Sequence, residues 1–403
     1  MLLSDRFSAL TDLLHQYDHY WRPCPFRETH LPWVDRHPAL TEQLLALADE
    51  TVHRLATDPI ALADWMTPHL PFIPALTQLS ALPEWPRHSL PELASRLQTG
   101  IPGRKWQQIE AFAAALPATD SPAAPLPILE WCGGKSHLGF VLQRCSGQPV
   151  TALEWNADLV EQANQRAQQW QSNLQSYQVD VLAPAVEDFL QRDQRIVALH
   201  ACGDLHLNLL RLTALHGVQQ VQLAPCCYQK IADAQYRPLS QAAQRIPLLL
   251  NRLELQLAVT ETVTAGEYQQ RQRLRLQAKR LGFDCLQRDV RNLNEFLPVP
   301  SLPGDWVRAD FKDFCHHCAK LKSLTLPEQV DWNYYEQRGW QRLREVSALD
   351  LVRFLFRRPL EIWLALDRAL FLQEQGYETA IGTFCPRKVT PRNILIVAER
   401  CKP

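Results

Sequence analysis

The run Pro127–Phe140, PILEWCGGKSHLGF, restricts the possible folds more than any other stretch of the chain. An apolar segment stops at an acid, Glu130, and turns through Cys132-Gly133-Gly134 into residues that suit a helix. Ile128 and Leu129 read as the end of a buried strand. Ser136-His137-Leu138 then opens a helix whose free N–H groups face a ligand. Glycine is needed in such a turn because a side chain would hold the ligand off the backbone. Taken alone, two glycines also suit an ordinary strand-to-helix turn, so the following segments decide.

Those segments repeat the pattern. TALEW (Thr151–Trp155) is a second short strand ending in Glu154, at the distance along the chain where a carboxylate receives ribose hydroxyls. YQVDV (Tyr177–Val181) reads as a third strand carrying Asp180, IVALHACGD (Ile196–Asp204) as a fourth and VQLAPCCY (Val221–Tyr228) as a fifth. Helices are expected at His137–Cys145, Leu159–Trp170 and Leu205–His216, between the strands. Polar or thiol groups at successive strand tips mark a doubly wound α/β sheet, which binds ligands outside the carboxyl ends of its strands. Dinucleotide and S-adenosylmethionine folds both meet this description. YETAIGTFCP (Tyr377–Pro386) and RNILIVAER (Arg392–Arg400) form a closing strand pair, which suits the methyltransferase sheet where a dinucleotide fold adds parallel strands.

The motifs themselves resemble a family. Glu130-Trp-Cys-Gly-Gly-Lys-Ser-His-Leu138, Leu199-His-Ala-Cys-Gly-Asp204, Ala224-Pro-Cys-Cys-Tyr228 and Thr390-Pro-Arg-Asn393 are similar to the S-adenosylmethionine-dependent methyltransferase domain of CHHC-type tRNA 2′-O-methyltransferases, which is also found in glutathione S-transferase C-terminal domain-containing protein. The similarity covers roughly the last two thirds of the chain, interrupted by an insertion. It implies a Rossmann-like seven-stranded sheet and S-adenosylmethionine as cofactor. Glu130, Cys132, Gly133 and Gly134 would surround the methionine moiety, Glu154 the ribose and Asp180 the adenine amine. His200, Cys202, Asp204, Cys226 and Cys227 would face the acceptor, His200 and Cys202 also bordering the cofactor, while Arg392 and Asn393 support the pocket. Ser136 stands where this loop usually has glycine, and the Asn/Asp-Pro-Pro-Tyr motif of amino-methylating enzymes is absent.

Methyl transfer needs an acceptor lone pair aligned with the methyl carbon and a route for the acceptor's proton. His200 and Asp204 are the candidate bases. The thiols of Cys202, Cys226 and Cys227 are read as lining the pocket, with no metal, since a thiolate cage would occupy the acceptor's position. Phe314-Cys315-His316-His317-Cys318 has the spacing of half a zinc site, but the second half is missing nearby.

The other segments set the surroundings. Residues 1–116 read as an all-helical domain, with apolar residues at three- and four-residue spacing in Ser4–Tyr17, Ala39–Ala56 and Ser89–Gln98 and with Ser4, Thr41 and Ser89 as caps. Trp21 and Trp33 staple a proline-bound connection onto it. Residues 117–127 form a proline-rich linker, the sheet domain runs over 128–403, and a helical insertion occupies about 252–375. Arg104 and Lys105 open one helix. Arg271, Arg275 and Lys279 share a face of another, with no acid among them, so both can meet phosphate. On this basis the expected acceptor is RNA, tRNA or rRNA. Protein or small-molecule acceptors, or a non-catalytic binding module on the same fold, stay open.

The 403 residues suffice for two or three cores, and 46% hydrophobic with 21% charged content is that of a globular chain. A net charge of −1 excludes a uniformly basic nucleic-acid binder, so local clusters must carry any such contact. Eleven scattered cysteines fit a reducing compartment, and no run approaches a membrane span or a signal peptide. The expected location is the cytoplasm.

Overall fold

The computed structural model describes residues 1–116, 126–260 and 267–401. Contacts divide the chain into two units, one of residues 1–15, 78–259 and 358–403, the other of 16–77 and 260–357. This differs from the expected division into a helical domain over 1–116 and a sheet domain after a linker. The helix Gly103–Ala115 buries Trp106, Ile109 and Phe112 in one core with Ile128, Leu138 and Phe140, so its three-residue apolar spacing serves the sheet. Residues 117–125 of the expected linker lie outside the described residues.

The first unit is organised by seven strands: β1 (Ile128–Trp131), β2 (Val150–Glu154), β3 (Leu174–Gln178), β4 (Arg195–Leu199), β5 (Gln220–Ala224), β6 (Tyr377–Thr383) and β7 (Ile394–Arg400). Their order is β3-β2-β1-β4-β5-β7-β6, with β1 to β5 parallel and β7 antiparallel between β5 and β6. The direction of winding reverses between β1 and β4, and a crevice opens there above the strand tips. All four residues of β1 are buried, as both-face coverage by helices requires. This is the expected Rossmann-like seven-stranded sheet. The third strand begins three residues earlier than the sequence suggests, because Asn164 clamps Ser176 through its backbone N–H and C=O at 2.8 and 2.9 Å.

A buried polar cluster ties the helix Arg357–Glu374 to the segment after β5. Asp367 accepts hydrogen bonds from the Tyr236 hydroxyl at 2.5 Å, from the amides of Leu239 and Ser240 and from the Ser240 hydroxyl. Arg368, fully buried, donates to His206 Nε2 at 2.8 Å, to the Tyr236 hydroxyl and to the Leu364 carbonyl. Every donor and acceptor named here is satisfied, which is what lets charged groups persist in an apolar interior.

The second unit is helical. The expected helix over 39–56 is interrupted, giving Pro38–Leu45 and Asp49–Thr57, and Thr41 lies inside the first of these with its hydroxyl on the His37 carbonyl. In the first unit, Ser4 falls within the helix Leu3–Gln16, and Ser89 precedes a helix that starts only at Ser95, since Pro91 interrupts the segment. Trp21 and Trp33 are fully buried, as the stapling role requires. Arg353 donates to the Trp21 carbonyl, and Arg342 to those of Pro25 and Glu28, so two arginines fix the proline-bound connection.

Candidate active site

Three residues of the loop after β1 take left-handed backbone angles: Cys132 at φ 57°, Gly134 at 60° and Ser136 at 53°. Only one is glycine, so the turn is held at two strained side-chain-bearing positions, Cys132 and Ser136. Gly133 is needed for space, since a Cβ there would lie 2.9 Å from Glu130 Oε2. At Gly139, in the first turns of the following helix, it would lie 2.5 Å from the same oxygen. The glycines thus make room for a carboxylate at the tip of β1.

Glu130 is buried, and its Oε2 has no hydrogen-bond partner within the protein. Burial pushes its carboxyl up to about 8, against the opposing pull of the Gly139 amide. Glu154, at the tip of β2, receives the Gly134 amide at 2.9 Å and the Asn156 amide at 3.1 Å, one on each oxygen. Each oxygen retains a further lone pair, so the carboxylate is oriented without being exhausted. Asp180 is exposed just beyond β3 and accepts the Leu182 amide at 2.9 Å within its own turn. Burial raises the Cys132 thiol to about 12, with Glu154 adding to the shift, so this loop thiol stays protonated.

Across the crevice, β4 ends at Leu199 and His200 follows at φ 67°, its amide bonded to the Ala224 carbonyl of β5. His200 Nε2 meets Gln108 Oε1 at 2.7 Å, and Gln108 Nε2 donates to the Val389 carbonyl, which fixes the amide orientation. Nε2 therefore carries the hydrogen and Nδ1 the lone pair. Burial, with Lys105 and Arg392 nearby, lowers His200 to about 4, although Cys227 pulls the other way, so the ring is neutral at pH 7. Gln108 has no counterpart among the expected site residues. It stands three positions after Lys105 on the same helix, but nothing in the sequence connects it with residue 200.

Asp204 occupies a different role from the expected base. Its Oδ2 accepts the Ala232 amide at 2.7 Å and its own amide donates to the Lys230 carbonyl, so it fastens the loop after β5. Gly203 permits that contact, since a Cβ there would fall 1.7 Å from the Lys230 carbonyl oxygen.

Cys202, Cys226 and Cys227 are brought together with their sulfurs all within 4.8 Å, and Cys202 and Cys226 are 3.2 Å apart. Hydrogen bonds from Cys202 and Cys226 lower the Cys227 thiol, helped by Lys230 and Arg392, whereas Cys226 is raised by the same pairing and by burial.

The expected phosphate contacts separate. Lys105 is exposed at the start of its helix, yet close enough to influence Glu130, His137 and His200. Arg104 is exposed beside it. Arg392 donates to the carbonyls of Ala258 and Val259, and Asn393 is buried with its side-chain amide on the Cys385 carbonyl at 2.7 Å, so both brace the last hairpin. In the second unit Arg271 and Arg275 are exposed on the helix Glu267–Arg291, but Lys279 points its ammonium at the carbonyls of Trp306, Val307 and Ala309. Cys315 and Cys318 are fully buried in an apolar cluster with Phe283, Leu286 and Phe314, and burial lifts Cys318 to about 12, so this run is core.

The residues fit S-adenosylmethionine. A backbone-lined turn, an unpartnered buried carboxyl oxygen on Glu130 and an oriented carboxylate on Glu154 offer acceptors for ammonium and ribose groups at the point where the sheet reverses. A human protein, "Probable methyltransferase-like protein 25", is 26% identical over 229 residues, 51% of this chain and 37% of its own length. The chain therefore spans well under half of that relative. Among solved structures, a magnesium protoporphyrin IX methyltransferase from Synechocystis PCC 6803 with bound SAH superposes over 77% of this chain and 90% of its own, at 10% identity and a TM-score of 0.32. A geranyl diphosphate methyltransferase superposes over 41% and 64%, at 14% identity and 0.26. Likeness of this degree leaves the fold to rest on the strand order itself. Residues 104–234, from the helix bearing Lys105 to the loop fastened by Asp204, match the family described as "Methyltransferase domain".

Proposed function

We propose that the protein transfers a methyl group to RNA, with tRNA or rRNA as the substrate class. The observation that carries the reading is the pairing, across one crevice, of the Glu130–Glu154 cofactor cradle with a neutral His200 whose Nδ1 lone pair is unprotonated. Bound in the cradle, S-adenosylmethionine supplies an electrophilic methyl. The chain's own part is to hold the acceptor in line and to receive its proton, for which His200 Nδ1 is the candidate; an acid as strong as its imidazolium suits an acceptor that loses its proton late.

An anionic acceptor is favoured by exposed Lys105 and Arg104 beside the crevice and by Arg271 and Arg275 on the second unit. The resemblance of the four motifs to tRNA 2′-O-methyltransferases points the same way, and eleven free cysteines suit the cytoplasm. The test is transfer of labelled methyl from S-adenosylmethionine to size-fractionated cellular RNA and, in parallel, to protein. Label in RNA, reduced about tenfold or more by Lys105→Glu, is expected for a phosphate contact near the site. Label confined to protein would overturn the RNA assignment.

A further inference from the structure

We propose that Cys202, Cys226 and Cys227 form a binding site for a thiophilic divalent cation of the zinc type, with a fourth position left open for water or the methyl acceptor. Sequence alone set a metal aside because a complete thiolate cage would block the acceptor. The structure gathers three thiols, and three ligands plus an open position is the arrangement of catalytic rather than structural zinc.

Geometry supports the site in two ways. Consecutive residues of a strand point to opposite faces, but β5 ends at Ala224 and Pro225 follows. The chain then turns tightly, with the Tyr228 amide on the Cys226 carbonyl and the Lys230 amide on that of Cys227, and both vicinal sulfurs approach Cys202. Zinc–sulfur bonds of about 2.3 Å at tetrahedral angles separate sulfurs by about 3.8 Å. The observed sulfurs, from 3.2 Å for Cys202 and Cys226 to within 4.8 Å for all, bracket that value. His200 does not close the fourth position through Nε2, which Gln108 holds.

The proposal stands apart from the methyl-transfer reading and is tested without cofactor. Full-length, untagged protein under reducing conditions is titrated with Co²⁺ as the probe. A thiolate-to-cobalt charge-transfer band should saturate at about one equivalent per chain and be displaced by Zn²⁺. Cys202→Ser and Cys226→Ser should each weaken binding about tenfold or more, with Cys318→Ser as the unaffected control. Because a replacement can disturb folding, a second readout uses the unaltered chain: Zn²⁺ should protect Cys202, Cys226 and Cys227 from alkylation while exposed Cys401 reacts as before. Absence of the band, its survival in both variants, or alkylation indifferent to zinc would overturn the site. So would a Cys202–Cys226 disulfide on mild oxidation with no metal uptake when reduced, which would mark a redox pair instead.

Discussion

Glu130 is a carboxyl enclosed by the space that Gly133 and Gly139 leave open, and its protonation links the site to pH. Its folded value of about 8 lies above the ordinary 4.5, so the folded chain holds a proton that the unfolded chain releases. Stability from this group is present below the ordinary value and is lost as pH rises through 8. His137 and His200, both lowered to about 4, act in the opposite sense and only below their ordinary 6.5. The Glu130 contribution to the stability of cofactor-free protein should therefore fall by about 2 kcal/mol between pH 6.5 and 8, and in denaturant titrations Glu130→Gln should differ from wild type by the loss of that fall. An unchanged slope would place the carboxyl in water. At Ser136 the left-handed backbone disfavours the native residue. Ser136→Gly is expected to raise stability by about 0.5–1 kcal/mol, read from the thermal midpoint. Glu154 was legible in the sequence because its spacing from the glycine turn follows from strand and helix lengths. The true partner of Asp204 was not, because the Ala232 amide reaches it through a loop whose course no local pattern encodes.

At the scale of elements, the helix Glu267–Arg291 shows what periodicity can and cannot tell. The shared face of Arg271, Arg275 and Lys279 is real helical spacing, yet Lys279 caps the carbonyls of the short 304–307 turn while Arg275 is exposed. Their replacements should separate. Lys279→Ala is expected to destabilise the chain by about 1–3 kcal/mol, as for a lost charge-assisted hydrogen bond. Arg275→Glu should leave the thermal midpoint unchanged while weakening RNA binding and reducing its salt dependence. The opposite pattern would mean that the helix presents a different face to its ligand. The same lesson holds for Cys315 and Cys318: their spacing suits a zinc knuckle, but a helix places both on the stripe that the core buries.

For the whole molecule, the sheet was readable because acid, glycine and thiol groups at strand ends and an apolar strand pair at the C-terminus each follow from local sequence. The division into units was not, since it depends on contacts between segments far apart in the chain. The Asp367–Arg368 cluster is of that kind, joining residues about a hundred and thirty positions apart, as Tyr236 and Asp367 are. Asp367→Ala should cost about 3–5 kcal/mol by leaving Arg368 and four donors from Tyr236, Leu239 and Ser240 uncompensated. The central claim is the cofactor cradle, and calorimetric titration of S-adenosylmethionine into wild-type protein and Glu154→Ala tests it most directly, with NAD as the competing ligand. Micromolar binding of S-adenosylmethionine, weakened about a hundredfold or more in the variant, is predicted. No binding, equal binding to both proteins, or a preference for NAD would contradict it.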